Sequence, residues 1–328
     1  MPRLTFPDEF FLGEKRCGFY VEPLMKRAWA AQLEVLATVN DICKRHGLKY
    51  FADFGTVLGA VRHNGFIPWD DDIDITMPRK DLMLFLRYAK LELPETYKVI
   101  TCHDYVEYDT IIVRLVNTNS ILVEENFLRE FHGFPFACGL DIFPLDYIPA
   151  DPDERELQKE LFNLVSGVKS AFLSGSDADE EQKSYLLSQV EQITGRPVDR
   201  NGNIPNQMAI LEDALSAMYE KKDANAVGIP YRITYMGDAA IHPIEEYSDV
   251  VWHDFEVTQV PLPIGYEGYL KRQYGEKYME YAIYPAHDYP FYRKQMDTLK
   301  KHLAAQGATI ADIGLPDIER TDFADYQR

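Results

Sequence analysis

The 328-residue sequence predicts an α/β (α+β) protein with one sheet-bearing core and a mainly helical extension. Three observations carry that expectation. Helical and strand periods alternate from about residue 22 to residue 148, the pattern of a mixed α/β unit. Within "IPWDDDIDITM" (Ile67 to Met77) the run "DIDIT" alternates with period two, so Asp72, Asp74 and Thr76 share one strand face while Ile73 and Ile75 take the other. Beyond residue 149 helical segments separated by polar loops take over. The expected division is a core at 22–148 and an extension at 149–328 packed on it, with a motif-bearing stretch at 251–290. No internal repeat and no low-complexity linker argues for independent domains.

Glu22 to His46 carries Trp29, Leu33, Leu36, Ile42 and Cys43 at mostly three- and four-residue steps, with Gly47 placed to cap a long amphipathic helix. Leu48 to Asp53 reads as a short strand, and "FGTVLGAVRH" as a turn running into a short helix. "NGF" at Asn64 to Phe66 signals a turn before the aspartate strand, which Pro78 stops. Arg79 to Lys90 is a second amphipathic helix with Leu82, Phe85 and Leu86 inward. Thr110 to Asn117 and Gly139 to Asp146 are further strands. Glu154 to Leu173 and Gln207 to Lys221 read as helices, with "SGSDADEEQ" and "GRPVDRNGN" as turn-rich loops between them. Val251 to Tyr278 reads as a strand-like stretch, a proline turn and a tyrosine-rich helix. The tail after Gly307 is expected to be partly wrapped or frayed.

A net charge of -19 excludes a protein built to grip a nucleic-acid backbone, which needs a basic surface to displace counterions. Cys17, Cys43, Cys102 and Cys138 form no CxxC pair, and "MPRLTFPDEFFLGEKR" lacks the apolar stretch of a secretion signal. Buried reduced thiols in a cytoplasmic protein are the expectation. No run approaches the roughly 20 apolar residues of a membrane span, so membrane contact is expected to be at most peripheral, at the inner face.

The chemistry concentrates at the aspartates. Asp70 and Asp71 suit a solvated turn, but Asp72 and Asp74 are like charges on one strand face, which repel unless a cation lies between them. Mg²⁺ or Mn²⁺ suits such an oxygen site and commonly shares its ligands with substrate phosphates. Gly55-Thr56, opening a short helix, lets backbone amides approach phosphate oxygens. Asp141, in the apolar-acid-apolar pattern Leu140-Asp141-Ile142, offers a third carboxylate, as a metal ligand or as the base for an attacking hydroxyl.

The stretch "FADFGTVLGAVRHNGFIPWDDDIDITMPRKD", together with "GLDIFPLDYIP" and "VPLPIGYEGYLKRQYGEKY", resembles the LicD family, cholinephosphotransferases that decorate bacterial surface glycans, with the fukutin-related ribitol-phosphate transferases as distant relatives. The resemblance runs from about residue 24 to about residue 290. It implies a nucleotidyltransferase-like mixed-sheet core related to the polymerase β group. It also implies Asp72 and Asp74 as metal ligands, Asp141 as the third carboxylate, and Gly55 and Thr56 as the phosphate-holding turn. The implied reaction moves phosphocholine, or a similar substituted phosphate, from CDP-choline or a related CDP-linked donor. The acceptor is a hydroxyl of a glycan or lipid-linked glycan, in lipopolysaccharide or teichoic acid. The rival readings are a nucleotidyltransferase acting on a small molecule or sugar, and a catalytically inactive glycan-binding protein.

Around these residues, Arg62 and His63 are expected to cap the leaving diphosphate, the alternative being a surface basic pair. Arg114, a charge in a strand pattern, is expected to partner substrate phosphate or one of the aspartates. Phe66 and Trp69 are candidates for an aromatic cage around a quaternary ammonium group, with packing as the alternative. Tyr266, Tyr269, Tyr274 and Tyr278 fall at helical spacing and read as core or a sugar-binding rim. His242, His253 and His287 lack metal-ligand spacing and read as structural.

Overall fold

The longest strand of the molecule, Gly139–Pro149, is the axis on which the rest is hung. The computed structural model describes residues 3–173, 176–284, 289–316 and 323–327. A hairpin, β1 (Glu14–Arg16) and β2 (Phe19–Val21), leads into α1 (Pro23–His46). Pro23 opens this helix, where its missing N–H costs nothing. Gly47, at φ 64°, closes it in the left-handed region that glycine adopts without strain. Next come β3 (Phe51–Ala52), α2 (Phe54–His63), β4 (Asp74–Pro78) and α3 (Arg79–Glu92). They are followed by β5 (Lys98–Ile100), β6 (Val113–Val116), α4 (Glu125–Glu130) and the long strand, β7.

The core sheet runs β3-β4-β7-β6-β5, parallel between β4 and β7 and antiparallel elsewhere. It is a mixed α+β sheet of the nucleotidyltransferase-like kind. Apolar residues of α1, among them Trp29, Leu33, Leu36 and Ile42, join Ile73, Ile75, Leu115, Leu140 and Ile142 of the sheet in one core. Burial on this scale, at about 25 cal/mol per Å² of apolar surface, is what holds the sheet and its helices together.

The second half contributes α5 (Pro152–Phe172), α6 (Glu180–Thr194) and α7 (Ile204–Ser216), which share a separate core around Phe162, Val165, Leu187, Val190, Met208 and Leu211. Arg79 ties this helical unit to the sheet by bonding Asp146 of β7 at 2.6 and 2.8 Å and Asp213 of α7 at 2.6 Å. Helix α6 stands where the sequence shows only polar loops on either side. The extension also brings strands. β8 (Ala224–Gly228) pairs with the far half of β7, the short helix α8 (Ile233–Met236) follows, and β9 (Ile241–Pro243) pairs with β8.

The expected strand-plus-proline-turn is a hairpin, β10 (Val250–Phe255) with β11 (Thr258–Pro263). Pro261 and Pro263 lie inside β11 and not in a turn, which an antiparallel ladder with a single partner strand tolerates. Two helices close the molecule, α9 (Tyr266–Tyr274) and α10 (Arg293–Ala305). The C-terminal tail is wrapped on the core: Tyr326 is buried and stacks on Phe19 at 5.3 Å. Cys43, Cys102 and Cys138 are buried free thiols, whereas Cys17 is exposed, against expectation, because it sits in the tight turn between β1 and β2. No described helix is long and apolar enough to cross a membrane.

Candidate active site

Two adjacent parallel strands bring the acids together. In the β4–β7 ladder Asp74 lies directly opposite Asp141, and Asp72, exposed, stands two residues before Asp74, separated from it by the buried Ile73. Burial pushes the Asp74 carboxyl well above the usual carboxylate range, and the surrounding Asp72, Asp141, Asp70 and Asp53 push it further. The donor set is all oxygen and strongly acidic, which fits a hard divalent cation.

The acidic turn is wider than the sequence suggested. Carboxylate oxygens of Asp70, Asp71 and Asp72 lie within 4.8 Å of one another. Helix α1 grips this turn through its backbone: Trp29 Nε1 donates to the Asp70 carbonyl at 3.2 Å and Gln32 Nε2 to the Asp71 carbonyl at 2.8 Å. Asp71 is fully buried, and its Oδ2 accepts from the Phe291 N–H at 2.6 Å. The reading of Asp70 and Asp71 as a solvated turn is therefore corrected, because α1 and the segment before α10 cover it.

Helix α2 is fixed against the acids by its first turn. Thr56 is buried and its Oγ1 accepts from the Asp74 N–H at 2.9 Å, so this hydroxyl locks α2 to β4. Gly55 faces Asp70 so closely that a Cβ there would collide with Asp70 Oδ2. Asp53 caps the helix, accepting from the Phe54 N–H at 2.8 Å and from the Tyr269 hydroxyl. Burial raises Asp53 to about 6 even though Tyr269 and the Phe54 amide pull it down. The sequence offered Asp53 only as the end of a strand; an Asp directly before a helix is the capping signal that marks it.

A cavity of about 360 Å³ opens over these groups, lined by Gly55, Arg62, Trp69, Asp70, Asp72, Asp74, Lys277 and the tyrosines Tyr274, Tyr278, Tyr281 and Tyr284. Trp69 faces Tyr281 with ring centroids 5.4 Å apart. Phe66 is elsewhere: it is buried, stacked on Trp29 at 4.6 Å and 1°. It belongs to the core, the packing alternative. Arg62 lines the cavity, but its NH1 donates to the carbonyls of Tyr278 and Glu280 at 3.1 and 3.2 Å and so anchors the tyrosine segment. His63 accepts from Arg62 Nε at 2.9 Å, and burial followed by the Arg62 and Arg16 charges holds it down to about 4, a neutral ring beside Cys17.

Arg114 finds its partner across the β6–β7 ladder. Its Nε and NH2 donate to the two carboxylate oxygens of Asp141 at 2.8 and 2.9 Å, and the two residues are direct register partners. Hydrogen bonding to Asp141 raises the guanidinium pKa. Of the four tyrosines, Tyr269 is core and holds Asp53, Tyr274 and Tyr278 line the cavity, and Tyr266 packs on His253 at 5.0 Å. His242 is buried beside Arg272, and His287 lies outside the described residues.

A mixed sheet that sets acids on neighbouring strands beside a Gly-Thr helix start is the arrangement of a nucleotidyltransferase-type domain. The family profile described as "LicD/FKTN/FKRP, nucleotidyltransferase domain" matches residues 47–136, which carry Gly55, Thr56, Asp72, Asp74 and Arg114. The chain belongs to the LicD family. It is 26% identical over 259 residues to the lipopolysaccharide cholinephosphotransferase LicD of Haemophilus influenzae, covering 74% of this chain and 87% of that protein. It is 40% identical over 200 residues to the uncharacterized protein RP689 of Rickettsia prowazekii, covering 53% of this chain and 73% of that protein.

Proposed function

We propose that the protein is a phosphotransferase that moves phosphocholine from CDP-choline to a hydroxyl of a surface-glycan precursor, with lipopolysaccharide the first acceptor to test. The observation that carries this reading is the cavity in which an aromatic wall of Trp69, Tyr281 and Tyr284 meets the carboxylates Asp70, Asp72 and Asp74. A quaternary ammonium group donates no hydrogen bond and is held by aromatic faces and negative charge. The name of the Haemophilus relative supports the same substituent.

Asp72 and Asp74 would hold Mg²⁺ or Mn²⁺, whose charge would offset that of the donor phosphates. Gly55 leaves the space that the Asp70 carboxylate fills beside the other acids, and Thr56 keeps β4 and α2 in register there. The acceptor hydroxyl oxygen bonds to the phosphorus of the phosphocholine group, the bridging P–O bond breaks, and CMP leaves with that bridging oxygen. The hydroxyl proton goes to Asp141. Both oxygens of Asp141 accept from Arg114, so this role requires Arg114 to turn toward a donor phosphate, which a long guanidinium side chain on a strand edge can do. Catalysis of this kind rests on positioning and charge neutralisation. A nucleotide-activated donor and buried free thiols both suit a cytoplasmic site of action.

A donor panel tests the proposal. CMP release from CDP-choline in the presence of lipopolysaccharide should exceed release from CDP-ethanolamine or CDP-glycerol, and Trp69→Ala should narrow the preference. Stronger use of CDP-glycerol or CDP-ribitol by the unaltered protein would remove choline from the proposal. Equal losses for all donors in Trp69→Ala would assign Trp69 to the scaffold.

A further inference from the structure

A groove of about 1080 Å³ lies at the far end of α2 from the acids, where the β10–β11 hairpin faces the last turns of α1. The alternation of the two strands explains its first wall. Phe255, Val260 and Leu262 belong to the core, so Val250, Trp252 and Asp254 of β10 share the other face with Gln259 and Pro261 of β11. Trp252 is the ladder partner of Pro261, and Asp254 that of Gln259, whose Nε2 donates to Asp254 Oδ1 at 2.9 Å. An indole and a proline ring thus stand side by side next to a carboxylate and an amide. The opposite wall is Asn40 and Lys44, one turn apart on α1. Leu48 to Tyr50 complete the lining, with Lys49 as a second cation that donates to the Ser248 carbonyl at 2.9 Å. Tyr50 is 4% exposed, and among the described residues its hydroxyl has no hydrogen-bond partner.

We infer that this groove binds an acidic oligosaccharide, with a sugar ring on the Trp252 indole and its acid group directed at Lys44 and Lys49. Trp29 and Trp69 are buried, but Trp252 is 44% exposed on a concave wall, where an indole has a binding use and no packing one. A sugar ring offers an apolar C–H face and a belt of hydroxyls. Trp252 and Pro261 match the face, and the amides and carboxylate of Asn40, Gln259 and Asp254 match the belt. The orphaned Tyr50 hydroxyl is a further group that such a ligand satisfies. A partner protein would call for a wider apolar patch, whereas polar residues of α1 and of the hairpin turn flank this indole. Size agrees, since the groove is at the top of the range for a single small molecule and suits a chain of sugars. Its position gives the ligand a purpose. Gly55 and Arg62 of α2 line the aromatic cavity and Asn64, at the end of the same helix, lines the groove. Gly55 and His63 are about 12 Å apart along that helix. A glycan held at Trp252 is therefore anchored away from the reacting hydroxyl and contributes binding energy remote from the chemistry. That this glycan is the acceptor rests on the proposed function; the groove and its class of ligand do not.

The test is calorimetric titration of the full chain, without donor, with the delipidated, phosphate-bearing core oligosaccharide of lipopolysaccharide and with uncharged maltohexaose. Trp252→Ala and Lys44→Gln both alter exposed side chains, so neither threatens the core. The unaltered protein should bind the core oligosaccharide saturably and more tightly than maltohexaose. Trp252→Ala should weaken it by roughly tenfold or more, the scale of a lost aromatic anchor, and Lys44→Gln by roughly threefold, the scale of one exposed ion pair. Binding should also shift the tryptophan emission of the unaltered protein, and that shift should vanish in Trp252→Ala. Affinity unchanged in Trp252→Ala, or absence of saturable binding, would overturn the inference. Equal affinity for maltohexaose, unaffected by Lys44→Gln, would overturn the acidic class of ligand. A dimer in light scattering that Trp252→Ala dissolves would make the groove a contact between copies of the chain, again contradicting it. Because binding is read without transfer, an oligosaccharide held at Trp252 in a protein that transfers no phosphocholine would remove the proposed function and leave the groove assignment standing.

Discussion

Asp74 is half-buried and faces four other carboxylates, a position that burial and repulsion make unfavourable for its ionised form. A divalent cation, as proposed, would offset that repulsion. Asp72→Asn and Asp74→Asn should each lower turnover by at least about 10²-fold, the scale of removing a principal electrostatic stabiliser. Both should keep the fold, with unfolding temperatures equal to or above the unaltered protein, since each removes a repelling charge. Near-normal activity in either variant, or full activity in EDTA, would contradict the metal assignment. Arg114 and Asp141 teach a different lesson at this scale. Each was visible as a charge inside an apolar strand pattern, but their pairing depends on the antiparallel register of β6 on β7, which no local pattern in either strand specifies. Phe66 and Trp69 were equivalent in sequence, both aromatic and both beside the acids. Stacking on Trp29 keeps Phe66 wholly within the core, whereas Trp69, also buried in that core and packed on Phe19, reaches the cavity lining.

At the scale of elements, legibility followed periodicity. α1 and α3 could be read because their apolar residues repeat on a helical face, with Gly47 as a cap for α1, and α2 because "FGTVLGAVRH" holds no proline, while its cap Asp53 passed as the end of a strand. α6 escaped because only Leu187 and Val190 are buried along it while Tyr185 and Ile193 face solvent. Its signal was the capping box of Asp179 and Gln182 at the edge of the acidic run. The β10–β11 hairpin was read as one strand because its turn contains no glycine: Glu256 takes the positive φ of 54° instead. The aromatic wall of the cavity was legible only in part. Tyr274 and Tyr278 lie in a recognisable motif, but Tyr281 and Tyr284 follow it without period and reach the acids through the Arg62 anchor.

The packing of α9 on β9 also sets a pH dependence. His242 is buried, and desolvation, followed by Arg272 and Arg232, holds it down to about 3. Unfolded, it would titrate near 6.5. The unfolded chain therefore binds the extra proton between those values, so the stability that the neutral imidazole confers is complete above about pH 6.5 and is lost as pH falls toward 3. Arg272 faces His242 Nδ1 at 3.4 Å, and Tyr247 and Tyr269 pack on the ring. In His242→Gln, which has no titrating group, the drop in unfolding temperature between pH 7 and pH 4 should be smaller than in the unaltered protein. Parallel curves for the two proteins would show that His242 does not titrate in this way.

Across the whole molecule, the amino-terminal half supplies the acids and the Gly55-Thr56 helix start, and the carboxyl-terminal half supplies the walls. Tyr274 to Tyr284 complete the aromatic cavity, the Phe291 N–H holds the Asp71 carboxylate, and Tyr269 holds the cap of α2. The extension is thus part of the site, which explains why family-like motifs recur as late as residue 278. The charge of -19 would repel an anionic donor at long range, so the proposed function needs local cations, and Lys277 and Arg62 line the aromatic cavity. The central claim is that this assembly transfers a phosphocholine group, and mass analysis of the acceptor tests it most directly. After incubation of the full chain with CDP-choline, Mg²⁺ and lipopolysaccharide, the glycan should gain the mass of phosphocholine, and the Asp74→Asn variant should produce no such gain. A gain of cytidine monophosphate instead, or an unchanged glycan while the donor is intact, would contradict it.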